Sequence, residues 1–382
     1  MSSKIILITH EFSPYRGGIA TYSEEVAQAA TELGYSIEVW TQGSSVDDHR
    51  FSFPIRRLPG AGNLRPISLL LLTWALYQKR ETLKHSRVLL ASRGAQWAYM
   101  TLFRLLGWNP GKEIITAFHG TEILRYARSS WLRKTADLFF TKAVHRITTA
   151  SFYSIDLLRE QGFESWAKEA IVARCALKSD FSKRYSDLKI ADQREPGAFR
   201  ILTLARIHPR KGQLDVAKAL GQLPPNWKSQ VVYQIAGKGD QDYLQKIQSE
   251  CQAHDVSCEV LGEIPEDKIG EVYQRCDLYV MTSHSLPESV EGFGMTYLEA
   301  GFFEKPVIGY RTGGVSEAVL AQKTGLLVAE GDLDELSAAI QKILENPSLG
   351  REMGKAGRDH ALSFSWKNTA QTLFSKNKET NV

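Results

Sequence analysis

Glu291 and Glu299 flank a pair of glycines in the run Glu291-Gly-Phe-Gly-Met-Thr-Tyr-Leu-Glu299. The apolar stretch 277–281 before it reads as a buried parallel strand. Residues 295–303 after it suit a helix packed on a sheet. Strand, glycine loop and helix start together offer free backbone N–H groups and a positive dipole end, and phosphate is the natural ligand. Five residues into that helix, Glu299 lies roughly 7–8 Å beyond its start. A diphosphate at the helix start would leave one carboxylate for sugar hydroxyls and the other for a ribose diol, the layout of a nucleotide sugar. Tyr297, Leu298, Ala300 and Phe302 make the surroundings of Glu299 apolar, and a buried carboxylate demands a hydrogen-bond donor. The plainer alternative is a loop acid and a helix acid that merely face water.

Three further sets of residues could act on the same kind of ligand. Arg206 and Lys211 share the loop Arg206-Ile-His-Pro-Arg-Lys211-Gly212 after an apolar run at 201–205. A guanidinium fork and an ammonium point charge suit a pyrophosphate, although both could be solvated surface cations. Gly237-Lys-Gly239-Asp240 resembles the start of a dinucleotide fingerprint, but it lacks the third glycine and the strand-end acid, so NAD is not implied. Gly17-Gly18 opens a helix after the first strand, as a second anion site or a plain turn. His119-Gly120 closes the run 113–118, at a strand end where α/β proteins place ligand contacts.

The elements that must position these residues alternate between strand and helix. Residues 4–9, 19–33 and 37–41 read as strand, helix and strand, which implies a doubly wound parallel sheet. A loop over 54–66 follows, then a helix over 67–83, a strand at 88–91, a helix over 95–106, a strand at 113–118 and a helix over 123–144. Strands at 146–150 and 171–175 end this half. Residues 178–198 are polar and unpatterned and read as a linker. A second series of strands runs through 199–205, 231–236, 257–261, 277–281, 306–310 and 325–328. A chain of 382 residues is long for one core. The expected division is a domain over 1–177, the linker, a domain over 199–360, and a final helix and tail over 361–382.

The composition, 43% apolar and 24% charged, is that of an ordinary soluble globular protein. Cys175, Cys251, Cys258 and Cys276 show no metal-ligand spacing and read as free thiols in a reducing cytoplasm. The apolar start 5–8 is too short for a signal peptide, and the longest apolar run, 67–77, is too short to span a bilayer. Charge is uneven: residues 50–146 hold 17 Lys and Arg against four acids, a net +13, which leaves −9 elsewhere in a chain of net +4. Such a field favours an acidic partner. Within it, residues 123–144 set Trp131, Phe139 and Phe140 among Arg125, Arg128, Arg133, Lys134 and Lys142. This is a helix lying on an anionic membrane, or a domain helix whose aromatics are core. No nucleic-acid-binding module accompanies the charge.

Taken in order, Gly17-Gly18, His119-Gly120, Arg206 with Lys211-Gly212, Gly237 with Gly239, Glu291-Gly-Phe-Gly294 to Glu299, and Gly313-Gly314-Val-Ser-Glu317 resemble the retaining glycosyltransferases of glycosyltransferase family 4. The resemblance covers nearly the whole chain. Its specific part is the Glu-x7-Glu element combined with the arginine and lysine. It implies the GT-B fold: two Rossmann-like doubly wound α/β domains facing a cleft, the first binding the acceptor and the second the nucleotide sugar. A C-terminal helix, with Phe364, Trp366 and Leu373, would cross back to the first domain.

The resemblance further implies that Glu291 contacts the donor sugar, Glu299 the ribose, and Arg206 and Lys211 the departing diphosphate. Gly17, Gly18, Gly237, Gly239, Gly292, Phe293 and Gly294 would line the donor, and His119 would lie beside the transferring sugar. It implies retention without a protein nucleophile, no metal and no cofactor. The co-substrate is a UDP, GDP or ADP sugar. The acceptor is a sugar, a lipid-linked sugar or an envelope polysaccharide, with Arg125, Arg128, Trp131 and Arg133 as weak candidates for contacting it or a membrane. Two departures stand out: Ala173-Arg-Cys-Ala-Leu177 replaces a common Asn-Gly-Val-Asp turn, and Glu304 replaces a common glycine. A nucleotide-sugar epimerase or sugar phosphorylase on this fold, or a non-catalytic membrane- or glycan-binding module, are the competing readings. The retained polar residues speak against the last.

Overall fold

The computed structural model describes residues 3–45, 48–107, 111–185 and 197–375. The chain divides into two compact units, Met1–Ser179 with Ser365–Val382, and Asp180–Phe364. Each is built on one parallel sheet.

In the first unit the strands are β1 (Ile5–Thr9), β2 (Ile37–Thr41), β3 (Ile55–Arg57), β4 (Arg87–Leu90), β5 (Glu113–Phe118), β6 (Arg146–Thr149) and β7 (Ala170–Val172). They lie in the order β3-β2-β1-β4-β5-β6-β7. Every residue of β1 and β2 is buried, as strands covered on both faces must be, Glu38 of β2 among them. The strand β3 falls inside the stretch expected to be a loop. It is an edge strand held by charge rather than by apolar burial: Arg56 Nε donates to Glu38 of β2 (3.0 Å) and Arg57 makes two bonds to Asp48 (3.0 and 2.5 Å). An edge strand of this kind carries no alternating apolar pattern to read.

Two expected long helices are each broken. That over 67–83 becomes Pro66–Gln78 and Arg80–Lys84, parted at Lys79. That over 123–144 becomes Thr121–Ala127 and Ser130–Lys142. The second starts at Ser129, whose hydroxyl accepts from the Leu132 amide at 3.2 Å, a local competitor to continued helix. Phe139 and Phe140 turn into the core against Phe103, Phe118 and Trp166, while Trp131 stays in solvent.

The first unit is completed by the end of the chain. The helix Trp366–Phe374 packs on Gly18–Glu32, with Trp366 Nε1 donating to Leu177 O at 2.7 Å. Its last carbonyls would otherwise be unsatisfied. Arg146 donates to those of Thr372 (2.8 Å), Leu373 (3.1 Å) and Ser375 (2.8 Å), and Arg87 to that of Phe374 (2.8 Å). Two guanidinium groups at a helix C-terminus also complement its dipole.

The second unit begins within the expected linker. Ser179–Arg184 is a short helix, from which Phe181 stacks edge-on to Phe303 (5.5 Å) and the buried Tyr185 packs on the same ring (5.3 Å). Residues 186–196 of that linker, and 376–382 of the tail, lie outside the described residues. The strands are β8 (Phe199–Leu204), β9 (Val231–Ala236), β10 (Ser257–Gly262), β11 (Leu278–Met281), β12 (Val307–Tyr310) and β13 (Gly325–Val328), ordered β10-β9-β8-β11-β12-β13. Ile201, Ile235, Val280 and Ile308 from the sheet and Val216, Leu220, Ile247 and Ile340 from the helices share one core. In both sheets chain order reverses once, between β1 and β4 and between β8 and β11. The crevice at such a switch point is where open α/β sheets hold ligands.

Arg146→Ala should destabilise the protein by about 2–4 kcal/mol, because charge-assisted bonds to an otherwise unsatisfied helix end are lost together. Urea unfolding measures it. A loss under about 0.5 kcal/mol, the range of an ordinary surface change, would mean that water replaces the guanidinium.

Candidate active site

In the second unit the loops after β8 and β11 bring opposite charges together at the switch point. Lys211 Nζ lies 2.5 Å from Glu291 Oε2, Arg210 Nη1 3.1 Å and Ser283 Oγ 3.0 Å from the same oxygen. Among the described residues no donor reaches the other oxygen, Oε1. Burial pushes the Glu291 carboxyl up, but Lys211 and Arg210 outweigh it and hold it at about 2. Glu291 is therefore an anion at neutral pH, locked by one oxygen and open at the other. Burial lowers the Lys211 ammonium below its ordinary range against the pull of Glu291.

Backbone packing fixes where that carboxylate sits. The Gly314 amide donates to Glu291 O at 2.9 Å. A Cβ at Gly313 or Gly314 would collide with the carbonyl oxygens of Glu291 and Gly292, so the two loops can stack only as bare backbone. Gly237 and Gly239 play the same part on the other side. A Cβ there would collide with Ala205 O and Ile207 O, and Ile207 pairs with Gly239 in an isolated bridge. The pair lets the loop bearing Arg206 to Lys211 lie directly on its neighbour.

The rest of the glycine loop is anchored rather than open. Gly294 (φ 94°) starts the helix Met295–Phe302, and the Tyr297 hydroxyl donates to Met281 O at the end of β11. Phe293 is buried against Phe364 (5.5 Å), so only its backbone can face a ligand. Glu299 accepts from the buried Tyr273 hydroxyl at 2.9 Å, so the protein itself supplies a donor to the carboxylate for which a diol was expected. The Arg206 side chain is exposed, and its guanidinium makes no hydrogen bond or ion pair among the described residues.

Two participants carried no clear signal in the sequence. Arg210 lies between Arg206 and Lys211 with nothing in its residue type to single it out, yet its guanidinium is the one that reaches Glu291. Its place beside Lys211 was the available clue. His284 bridges Asp215 (Nε2 to Oδ2, 2.9 Å) and Glu330 (Nδ1 to Oε1, 3.1 Å). Tyr310 donates to the same Asp215 at 2.7 Å, and the His284 amide donates to Arg210 O at 2.8 Å. The Asp215 bond, with Glu330 behind it, raises the His284 imidazole above its usual range. The bridge ties the β11 loop to the loop carrying Arg210 and Lys211. Its partners are distant in sequence, so a single histidine gave nothing to read.

In the first unit His119 Nε2 lies 3.0 Å from Ala91 O, beyond the end of β4, and its ring stands edge-on to Tyr22 at 4.7 Å. A carbonyl only accepts, so Nε2 carries a proton and Nδ1 is the nitrogen left for a ligand. Gly17 and Gly18 lie exposed in the loop after β1, where Gly18–Glu32 begins. Of the weak acceptor or membrane candidates, Arg128 and Trp131 are exposed. Arg125 is half-buried, and Arg133 is half-buried over the Phe163 ring at 5.1 Å. Among the described residues no group of three or more His, Cys, Asp or Glu is placed to hold a metal ion.

Residues 16–169 match the family model described as Glycosyltransferase Family 4, and residues 187–360 that described as Glycosyl transferases group 1. A GDP-mannose-dependent alpha-(1-6)-phosphatidylinositol monomannoside mannosyltransferase of Mycolicibacterium smegmatis is 26% identical over 383 residues, 97% of each chain. Among solved structures, sucrose-phosphate synthase of Thermosynechococcus elongatus aligns with a TM-score of 0.76 at 20% identity, covering 97% of each chain. Anabaena HepE in complex with UDP-glucose aligns with a TM-score of 0.73 at 20% identity, covering 97% of this chain and 98% of that one. These structural likenesses establish the fold.

The charge arrangement has a pH signature. The His284 imidazole is raised in the folded state, so its contribution to stability is complete below about pH 6.5 and fades as pH climbs through the elevated value. The gap in Tm between wild type and His284→Gln should therefore be widest on the acid side of neutrality and narrow toward alkaline pH. Melting curves across this range decide the matter, and a gap independent of pH would contradict the bridge.

Proposed function

Because the chain belongs to the glycosyltransferases of family 4, on the GT-B fold, we propose that it moves a sugar, with retention of anomeric configuration, from a nucleotide-diphosphate donor held by the second unit to an acceptor held by the first. The observation that carries this reading is the asymmetry of Glu291. Three donors fix Oε2, and Oε1 is left to accept from a hydroxyl. A carboxylate held in this way orients a sugar without having to be ordered by it.

The chemistry follows from where charge develops. The bond between the sugar's anomeric carbon and the diphosphate oxygen breaks, and negative charge grows on the phosphate. Arg206, with no ion pair among the described residues, and Lys211, already fixed in place, compensate that charge with little reorganisation. The amides from Gly292 to Gly294, at the start of Met295–Phe302, add donors to that anion, and Gly17 and Gly18 open a second helix start of the same kind in the first unit. The acceptor hydroxyl forms the new bond on the face the phosphate leaves, and the phosphate takes its proton, so neither a protein nucleophile nor a metal or other cofactor is required. His119 offers Nδ1 to a substrate hydroxyl.

The full-length likeness to a phosphatidylinositol monomannoside mannosyltransferase favours GDP-mannose as the first donor to test among UDP, GDP and ADP sugars. It also supports a lipid-linked or envelope-polysaccharide acceptor and work at the inner face of a membrane.

A mass-spectrometric screen of donors with lipid-linked acceptors should reveal transfer. Thermal stabilisation by UDP, GDP or ADP should identify the base. Glu291→Ala and Lys211→Ala should each lower kcat by about 10²–10³. Wild-type turnover in Glu291→Ala would refute the assignment. A requirement for inorganic phosphate, or turnover without any acceptor, would replace transfer by phosphorolysis or epimerisation.

A further inference from the structure

The helix Pro66–Gln78 of the first unit is apolar on every side. Ser68, Leu72, Ala75 and Leu76 are buried, on the side that packs against the helix Arg93–Leu106. The opposite side is as greasy and faces solvent: Ile67 is 68% exposed, Leu70 66% and Trp74 55%, with Leu71 and Tyr77 also exposed. The neighbouring helix ends on Leu105, 75% exposed, and Leu106. A helix apolar all round belongs inside something, and a contiguous apolar face of this kind marks an interaction site.

We propose that this face is a membrane-docking surface that lies on an anionic lipid bilayer. Charge decides the occupant. Arg65 stands exposed before the helix, Lys79 and Arg80 follow it, and exposed Arg104 flanks Leu105. Arg80 also lies over the Tyr77 ring at 4.8 Å. The nearby acid, Glu81, lies between Lys84 at 2.9 Å and Arg80 at 3.9 Å, so the cations outnumber it. Aliphatic side chains with a Trp and a Tyr on one side and cations at the rim are the composition of an interfacial helix.

A second copy of this chain fits worse, because a two-fold contact would set one cationic rim against another. Thirteen residues make a helix about 20 Å long, too short to span a bilayer, and no described helix is long and apolar enough to cross one. It therefore docks along the surface. The surface differs from the basic segment 123–146, whose aromatics Phe139 and Phe140 are core.

This inference deepens the reading of a lipid-linked acceptor, and the two can fail separately. Transfer to a soluble acceptor stays measurable in a protein that ignores vesicles, and vesicle binding stays measurable in an inactive one. The test is sedimentation of the full chain with phosphatidylcholine vesicles, with and without phosphatidylglycerol. Wild type should bind the anionic vesicles, less so as salt rises. Leu70→Glu with Trp74→Glu should bind at least about tenfold more weakly with an unchanged Tm, and Lys79→Glu with Arg80→Glu should weaken binding to the anionic vesicles. Should the first variant fold poorly, quenching of wild-type fluorescence by brominated lipids, reduced in Trp74→Phe, serves instead.

Unchanged binding by the Leu70 and Trp74 variant overturns the proposal. So does loss that instead follows Arg128→Glu with Trp131→Ala. A wild-type dimer that ignores vesicles and dissociates on Leu70→Glu would assign the face to a second copy.

Discussion

A buried carboxylate that must stay charged is the constraint on which the second unit is organised. Desolvation pushes the Glu291 carboxyl up, toward its neutral form, and removing one member of a buried ion pair typically costs about 3–5 kcal/mol. Lys211 and Arg210 can meet Glu291 only if the loops after β8 and β11 are neighbours, and these loops are neighbours only because β8 and β11 pair where the sheet changes direction. The glycines follow from the same demand. Gly237, Gly239, Gly313 and Gly314 sit where backbone meets backbone, so the loops that carry Glu291, Arg210 and Lys211 are themselves supported by loops. The topology, the cations and the glycines are thus one requirement seen at three scales.

Much of this was legible in residue types. Buried parallel strands announce themselves as largely apolar runs, and all six strands of the second sheet lie within a residue or so of the expected positions, the mostly exposed edge strand β10 included. The Glu-x7-Glu run with Arg206 and Lys211 named two loops that the fold brings together, Lys211 against Glu291. What stayed hidden were properties set by partners far along the chain. Nothing in Ile55-Arg-Arg57 signals a strand, because its stability comes from Glu38 and Asp48. Nothing local distinguishes Arg210 from Arg206, yet one is paired with Glu291 and the other is exposed. His284 acquires meaning only beside Asp215 and Glu330. Gly237 and Gly239 were read as ligand contacts, and the structure gives them a reason to be glycine that needs no ligand.

The solvent face of Pro66–Gln78 was hidden for a different cause. Apolar content in the sequence raised one question, whether the run could span a bilayer, and its length answered no. Which half of the helix is covered depends on the helix packed beside it. Only the three-dimensional arrangement shows that Leu72 and Leu76 are buried while Leu70 and Trp74 are not. The basic segment at 123–146 illustrates the converse, since most of its aromatics had neighbours waiting in the core.

The helix Trp366–Phe374 has a consequence for how the molecule is made. The second unit is a continuous stretch of chain, whereas the first is discontinuous and takes its last helix from the far end. On a ribosome, the sheet of the first unit emerges early but must wait for the entire second unit before Trp366 can reach Tyr22 and Leu177. Until then the face of Gly18–Glu32 that this helix covers stays uncovered, and Arg146 has no helix end to cap. The unit whose sheet is made earlier is thus completed later, and a chain that lacks Trp366–Phe374 forfeits the finish of the first unit.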